Sequence, residues 1–183
     1  MAIVTHIKKR LPAGRQGFTI FFAMLVGSLA LAIGLAIYDL TVRELDLSGT
    51  ATQSQYAIYA ADTGAECALY WDSRCTTSAC TTLGAGGSAF ATSTSSGADP
   101  GSILNCNNID ITSPSGSWSV MRDLVNRSAT TTFTLTFSPQ PYCVTVSVAK
   151  SGTPIITTVT AKGYNTCASA GVIRLERVLQ VTY

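Results

Sequence analysis

From Phe18 to Tyr38 the chain reads FTIFFAMLVGSLALAIGLAIY, twenty-one residues without a charged side chain. As an α-helix rising ~1.5 Å per residue, this run covers about 31 Å, close to the ~30 Å of a bilayer's hydrocarbon core. A different pattern follows over residues 39–72, which contain no proline. Apolar positions Leu40, Leu47, Ala51, Ile58, Ala61, Ala65 and Leu69 recur there at spacings of three, four or seven, predicting an amphipathic continuation of the same helix. A helix unbroken from Phe18 to Trp71 would reach roughly 81 Å. Gly49 is its weakest interior position, since glycine costs ~1 kcal/mol relative to alanine in a helix. Any kink is expected there or at Gly34.

The pattern changes twice more. Residues 73–116 are dominated by Ser, Thr, Gly and Ala with no helical period, and read as a long surface connection. From Ser117 the period becomes two. Thr130 to Phe137 puts Phe133, Leu135 and Phe137 on one side and threonines on the other. Ser138–Pro141 is a turn, Tyr142 to Ala149 alternates again through Val144, Val146 and Val148, and Lys150–Thr153 is a second turn. Ile155 to Lys162 and Val172 to Tyr183 supply two more strands. In the last, Ile173, Leu175, Leu179 and Val181 share a face that Arg177 interrupts. SWSVM at 117–121 offers a fifth strand. Strands joined by short turns make an antiparallel meander with one face to bury. The amphipathic half of the helix is the only partner of suitable length. The expected fold is therefore α+β, a long N-terminal helical spine packed against a C-terminal antiparallel sheet of four to five strands.

Composition sharpens the picture. The chain has 183 residues, enough for one globular domain, and 46% of them are hydrophobic against 12% charged. Ordinary soluble domains carry about 25% charged residues. High hydrophobicity with low charge excludes intrinsic disorder, and one long apolar run excludes a multi-span membrane protein. The net charge of +2 hides an asymmetry. Lys8, Lys9, Arg10 and Arg15 precede the apolar run with no acid among them, and the rest of the chain holds eight basic residues against ten acidic ones. By the positive-inside rule the N-terminus is cytoplasmic and everything after Asp39 lies outside. A secretory signal cleaved near Ala30-Leu31-Ala32 is the competing reading, but its apolar core would be only ~7–15 residues and this run continues past that point. Ala23, Gly27, Ala30 and Gly34 fall on one stripe of the helix, where small side chains let a neighbouring helix approach closely.

The basic leader ending in Gly17, followed by Phe18-Thr19-Ile20 and the apolar run, resembles the class III signal of type IV prepilins. In that family a membrane-embedded prepilin peptidase cuts after the glycine and methylates the new N-terminus. The resemblance implies a leader of residues 1–17, cleavage between Gly17 and Phe18, and a helix (18–38) that serves first as a transmembrane anchor and then as a filament core. It departs from the family at the fifth mature position, where a glutamate is usual and Phe22 stands here. Subunits lacking that acid are typically minor ones, including the one that caps the tip. Ala57 to Gly64, reading AIYAADTG, also resembles the stretch that follows the membrane helix in PilX-type minor pilins. Asp62 and Glu66, four residues apart, are read as a solvated helix face, and Tyr70 and Trp71 as packed beneath the sheet.

Cys67, Cys75, Cys80, Cys106, Cys143 and Cys167 all follow the apolar run. An even number on the exported side favours disulfides, with fifteen complete pairings open. Cys143 sits opposite the core face of its strand, within reach of the connection carrying Cys167. Cys75 and Cys80 could close on each other, leaving Cys67 with Cys106. Zinc is disfavoured, because no C-x-x-C pair exists and the one histidine, His6, lies in the leader. No catalytic triad is available without a later histidine, and there is no G-x-S-x-G elbow, phosphate loop or calcium loop. Asn105 to Asp110 carries polar oxygens without metal-loop spacing. An enzyme is not expected, nor a cofactor, nor a nucleic-acid patch. What the resemblance implies is a type IV pilus minor pilin, a structural or assembly subunit at the tip or in initiation. It would be a single-pass inner-membrane precursor and then part of an extracellular pilus. Its partners would be the lipid bilayer, the prepilin peptidase, an inner-membrane assembly platform, other pilin subunits and an adhesion target. A type II secretion pseudopilin and a non-polymerising single-span binding domain are the alternatives.

Overall fold

The structure is a computed structural model describing residues 16–75, 87–95, 103–113, 116–168 and 173–183. One helix, α1 (Gln16–Ser73), is followed by seven strands: β1 (Asn105–Cys106), β2 (Ile109–Asp110), β3 (Ser119–Asp123), β4 (Ser128–Thr136), β5 (Cys143–Ser151), β6 (Ile156–Tyr164) and β7 (Glu176–Thr182). β1 and β2 form a hairpin of their own, and the other five make an antiparallel sheet in the order β3-β4-β5-β6-β7. This is the expected α+β arrangement, a long N-terminal helix packed on a C-terminal meander. Two compact units are distinguished, residues 1–48 and 49–183. α1 stays helical through Gly34 and Gly49.

Alternation explains the sheet. Along β5, Val144, Val146 and Val148 are fully buried while Thr145, Ser147 and Ala149 point the other way. The register places Phe133 opposite Val146 and Val146 opposite Ala161, so one face is apolar across three strands. Thr131 belongs to that face too, contrary to the reading that set all the threonines outside; it is fully buried and its Oγ1 accepts a hydrogen bond from the Ala91 amide. In β7, Leu179 packs against the core. Arg177 shares its side, as the pattern implied, and donates through Nε to Ser54 Oγ of α1 at 2.8 Å.

The helix face is in part the one expected. Ala61 and Ala65 are buried and Leu69 packs against the core, as the spacing predicts, but Ile58 is exposed, and Ala57, Ala60, Gly64 and Ala68 complete the face toward the sheet. Small residues win because they let the two backbones come together. A Cβ placed on Gly163 of β6 would lie 2.0 Å from the Ala57 carbonyl oxygen and 2.6 Å from the Ala61 nitrogen. One placed on Gly64 would meet Val144 and Val146 side chains at 2.8 Å. Each glycine receives the opposing element directly, and no side chain fits between.

Residues 87–95 and 103–113 correct the surface-connection reading. Ala89, Phe90 and Ala91 are buried, and the Phe90 ring stacks near Trp118 and Phe133 at 5.9 and 6.1 Å. Leu104, Cys106 and Ile111 join the same core. The Asp110 carboxylate shapes the hairpin by accepting from the Leu104 and Thr112 amides and the Thr112 hydroxyl. Composition hid these segments because a few apolar residues sit among many hydroxyls.

Candidate functional site

Within residues 18–48 the notable feature is the helix surface. Every residue from Phe18 to Tyr38 is exposed, including Phe18 at 76% and Phe22 at 58%. Twelve large apolar side chains between Phe18 and Ile37 stand in the open. At about 1.5–3 kcal/mol for each such side chain removed from water, this surface holds a driving force on the order of 20 kcal/mol toward an apolar environment. One helix in the described residues is long and apolar enough to cross a membrane, and the window that qualifies is entirely unburied. Ala23, Gly27, Ala30 and Gly34 are exposed as well, and a Cβ on either glycine would meet nothing within 4 Å. Gly17 lies inside α1 beside Phe18. The basic residues Lys8, Lys9, Arg10 and Arg15 lie outside the described residues, as do most of residues 1–17. Beyond Tyr38, Asp39 and Arg43 form an exposed i, i+4 ion pair at 3.1 Å.

In the second unit, Asp62 and Glu66 are exposed, matching a solvated face. Trp71 is buried and donates to the Asn105 carbonyl at 3.3 Å, but Tyr70 is 54% exposed rather than beneath the sheet. Tyr70 projects beside Trp71 because consecutive helical positions diverge by about 100°.

Sequence reading passed over the most polar part of the interior. Asp72, on the last turn of α1, is buried. Its Oδ1 meets Lys150 Nζ at 2.5 Å and accepts from Ser88 Oγ at 2.5 Å, while Oδ2 accepts from the Tyr183 hydroxyl at 2.6 Å. Lys150 also donates to Thr157 Oγ1 at 3.3 Å. Burial alone would raise the Asp72 carboxyl, but hydrogen bonds from Lys150, Ser88 and Tyr183 outweigh it and hold it below the ordinary 3.8. The Tyr183 hydroxyl is pushed up, by burial first and then by donating to that carboxylate. Lys150 was expected in a turn. It is instead the fourth member of the Val144, Val146, Val148 series and enters the core face for that reason. Period-two spacing could have revealed it. A second polar knot centres on Asn165, whose Nδ2 donates to Gln53 Oε1 and to the Ile173 carbonyl while Oδ1 accepts from the Leu175 amide. These contacts join α1, the end of β6 and the start of β7.

Of the cysteines, Cys67 on α1 and Cys106 on β1 are joined by a disulfide across 39 positions. Cys75 is also disulfide-bonded, and Cys80 lies outside the described residues. Cys143 and Cys167 are thiols, the first buried and the second exposed. Among the described residues no three His, Cys, Asp or Glu side chains converge as a metal site.

The described residues therefore offer an exposed apolar helix and a cross-linked helix-on-sheet domain. No protein-family model matches it, and no curated protein or solved structure is significantly similar to it.

Proposed function

We propose that the protein is a minor subunit of a type IV pilus-like filament, made as a prepilin, cut after Gly17 and assembled through the helix that begins at Phe18. The observation that carries this reading is the bare apolar surface from Phe18 to Tyr38 on a helix whose later turns are the spine of an α+β domain. Such a surface is stable in lipid or among like helices. Exchange between those two apolar surroundings costs little, and the Ala23, Gly27, Ala30, Gly34 stripe allows close helix approach. The function is packing, and the domain beyond residue 48 supplies the exported surface for adhesion or other contacts. Phe22 in place of an acid at the fifth mature position supports a role at the tip or in initiation.

Mass spectrometry of the isolated protein's N-terminus tests the proposal. A chain beginning at methylated Phe18 is the expected result. An intact leader on a protein that stays a single-span anchor in cells with working filaments overturns it. A filament reconstruction that repeats this chain along the shaft would remove the tip assignment alone.

A further inference from the structure

Cys143 opens β5 and points away from the core face, yet it is only 5% exposed. The chain that leaves β6 runs beside it. Tyr164 is its cross-strand partner, and three residues later the Cys167 amide donates to the Pro141 carbonyl at 2.8 Å, carrying the antiparallel path past the strand ends. Arg174 lies over the Tyr164 ring at 3.7 Å and closes the cluster from the β7 side. The Cys143 and Cys167 thiols are thereby hydrogen-bonding neighbours, one buried and one open to solvent.

We infer that Cys143 and Cys167 are a disulfide-forming pair in which exposed Cys167 is the point of entry for the oxidant and buried Cys143 closes the bond. The inference rests on the reading that this domain is exported, where disulfide-bearing oxidants are available. Chemically, the Cys167 thiolate attacks one sulfur of an external disulfide, forming a mixed disulfide and releasing one thiolate. Cys143 then loses its proton to that thiolate and attacks the Cys167 sulfur, breaking the mixed disulfide and releasing the second thiolate, which takes the proton left by Cys167. Two protein thiols are oxidised, one external disulfide is reduced to two thiols, and the balance closes. Burial fixes the order. Burial first, and then the neighbouring Cys167 thiol, push the Cys143 thiol up to about 12, so this sulfur is a poor first nucleophile and reacts once its partner is already bonded beside it. The closed bond would staple the exit of β6 to the entry of β5.

Differential alkylation with N-ethylmaleimide on the full-length protein isolated from cells tests the pairing, with Cys67–Cys106 as an internal reference. Under denaturing, non-reducing conditions Cys143 and Cys167 should take no label, and both should label after reduction. Label on those two with Cys67–Cys106 intact overturns the inference and leaves the export reading standing. Label on all four overturns both. Attachment of Cys167 to another protein also overturns the pairing. The order is tested with oxidised glutathione on folded variants: Cys143→Ser should gain one glutathione at Cys167, and Cys167→Ser should gain none. Equal adduct formation in the two variants overturns the assigned order.

Discussion

Two glycines and one ion pair set the domain's tolerance to change. Gly163→Ala would press a methyl group into the backbone of α1, where neither the Ala57 carbonyl nor the Ala61 amide can swing aside. A cost of at least ~1–3 kcal/mol is expected, the range for overpacking a filled core. Gly64→Ala meets the ends of Val144 and Val146 instead and should cost less. Urea unfolding followed by circular dichroism would rank the two, with Gly27→Ala as an unaffected control. Asp72 and Lys150 make a second prediction. Removing one partner leaves a buried charge uncompensated, so Asp72→Asn or Lys150→Met should cost about 3–5 kcal/mol. The depressed Asp72 carboxyl contributes stability that is present above its ordinary 3.8 and is lost as pH falls through its lower folded value. Raised Tyr183 has the opposite sign: its contribution is complete below the ordinary 10.0 and fades as pH climbs toward the folded value. Stability against pH should therefore show a plateau falling at both ends, with a shallower acid limb in Asp72→Asn.

The elements differ in how plainly the chain announced them. β4, β5 and β6 were legible because burial alternates residue by residue and their central core-side positions are apolar, Phe133 and Leu135, Val144, Val146 and Val148, Val159 and Ala161, a pattern set by the pleat itself. The core-facing stripe of α1 was legible at Ala61, Ala65 and Leu69 but not in full, because small side chains leave a faint period. Ile58 fitted the spacing yet is exposed, and close contact with the sheet adds Ala57, Ala60 and Gly64. Phe90 and the β1–β2 hairpin were obscured for a related reason, being too short to set up a period. Their attachment yields a further prediction. The Cys67–Cys106 bond ties the hairpin to α1, and breaking it as Cys67→Ser/Cys106→Ser should cost ~2–4 kcal/mol. Hydrogen exchange in that double variant should rise at Asn105–Asp110 before it rises in β4 or β5, whose ladders do not depend on the bond.

For the molecule as a whole, the division at residue 48 separates two kinds of physics. Residues 49–183 bury an apolar core and satisfy their interior charges, whereas the helix before them presents its large side chains to whatever surrounds it. A chain starting at Gly49 is expected to fold and stay monodisperse in buffer, while one starting at Phe18 should need detergent or lipid. Size-exclusion chromatography with light scattering distinguishes these outcomes. The apolar stretch was evident from its composition, since twenty-one uncharged residues leave few alternatives. Its role was not, because the same stretch suits an anchor or a filament core, and only the chemistry at Phe18 separates them.

The seam formed by Gly64 and Gly163 has a mechanical corollary. Between residues 57 and 64 the helix touches the sheet where a single methyl group would collide, so axial sliding or rotation drives neighbouring Cβ atoms into Val144, Val146 or the β6 backbone. Tension delivered along residues 49–73 would pass to the central strands through interlocked main chain, without first being spent on stretching long side chains.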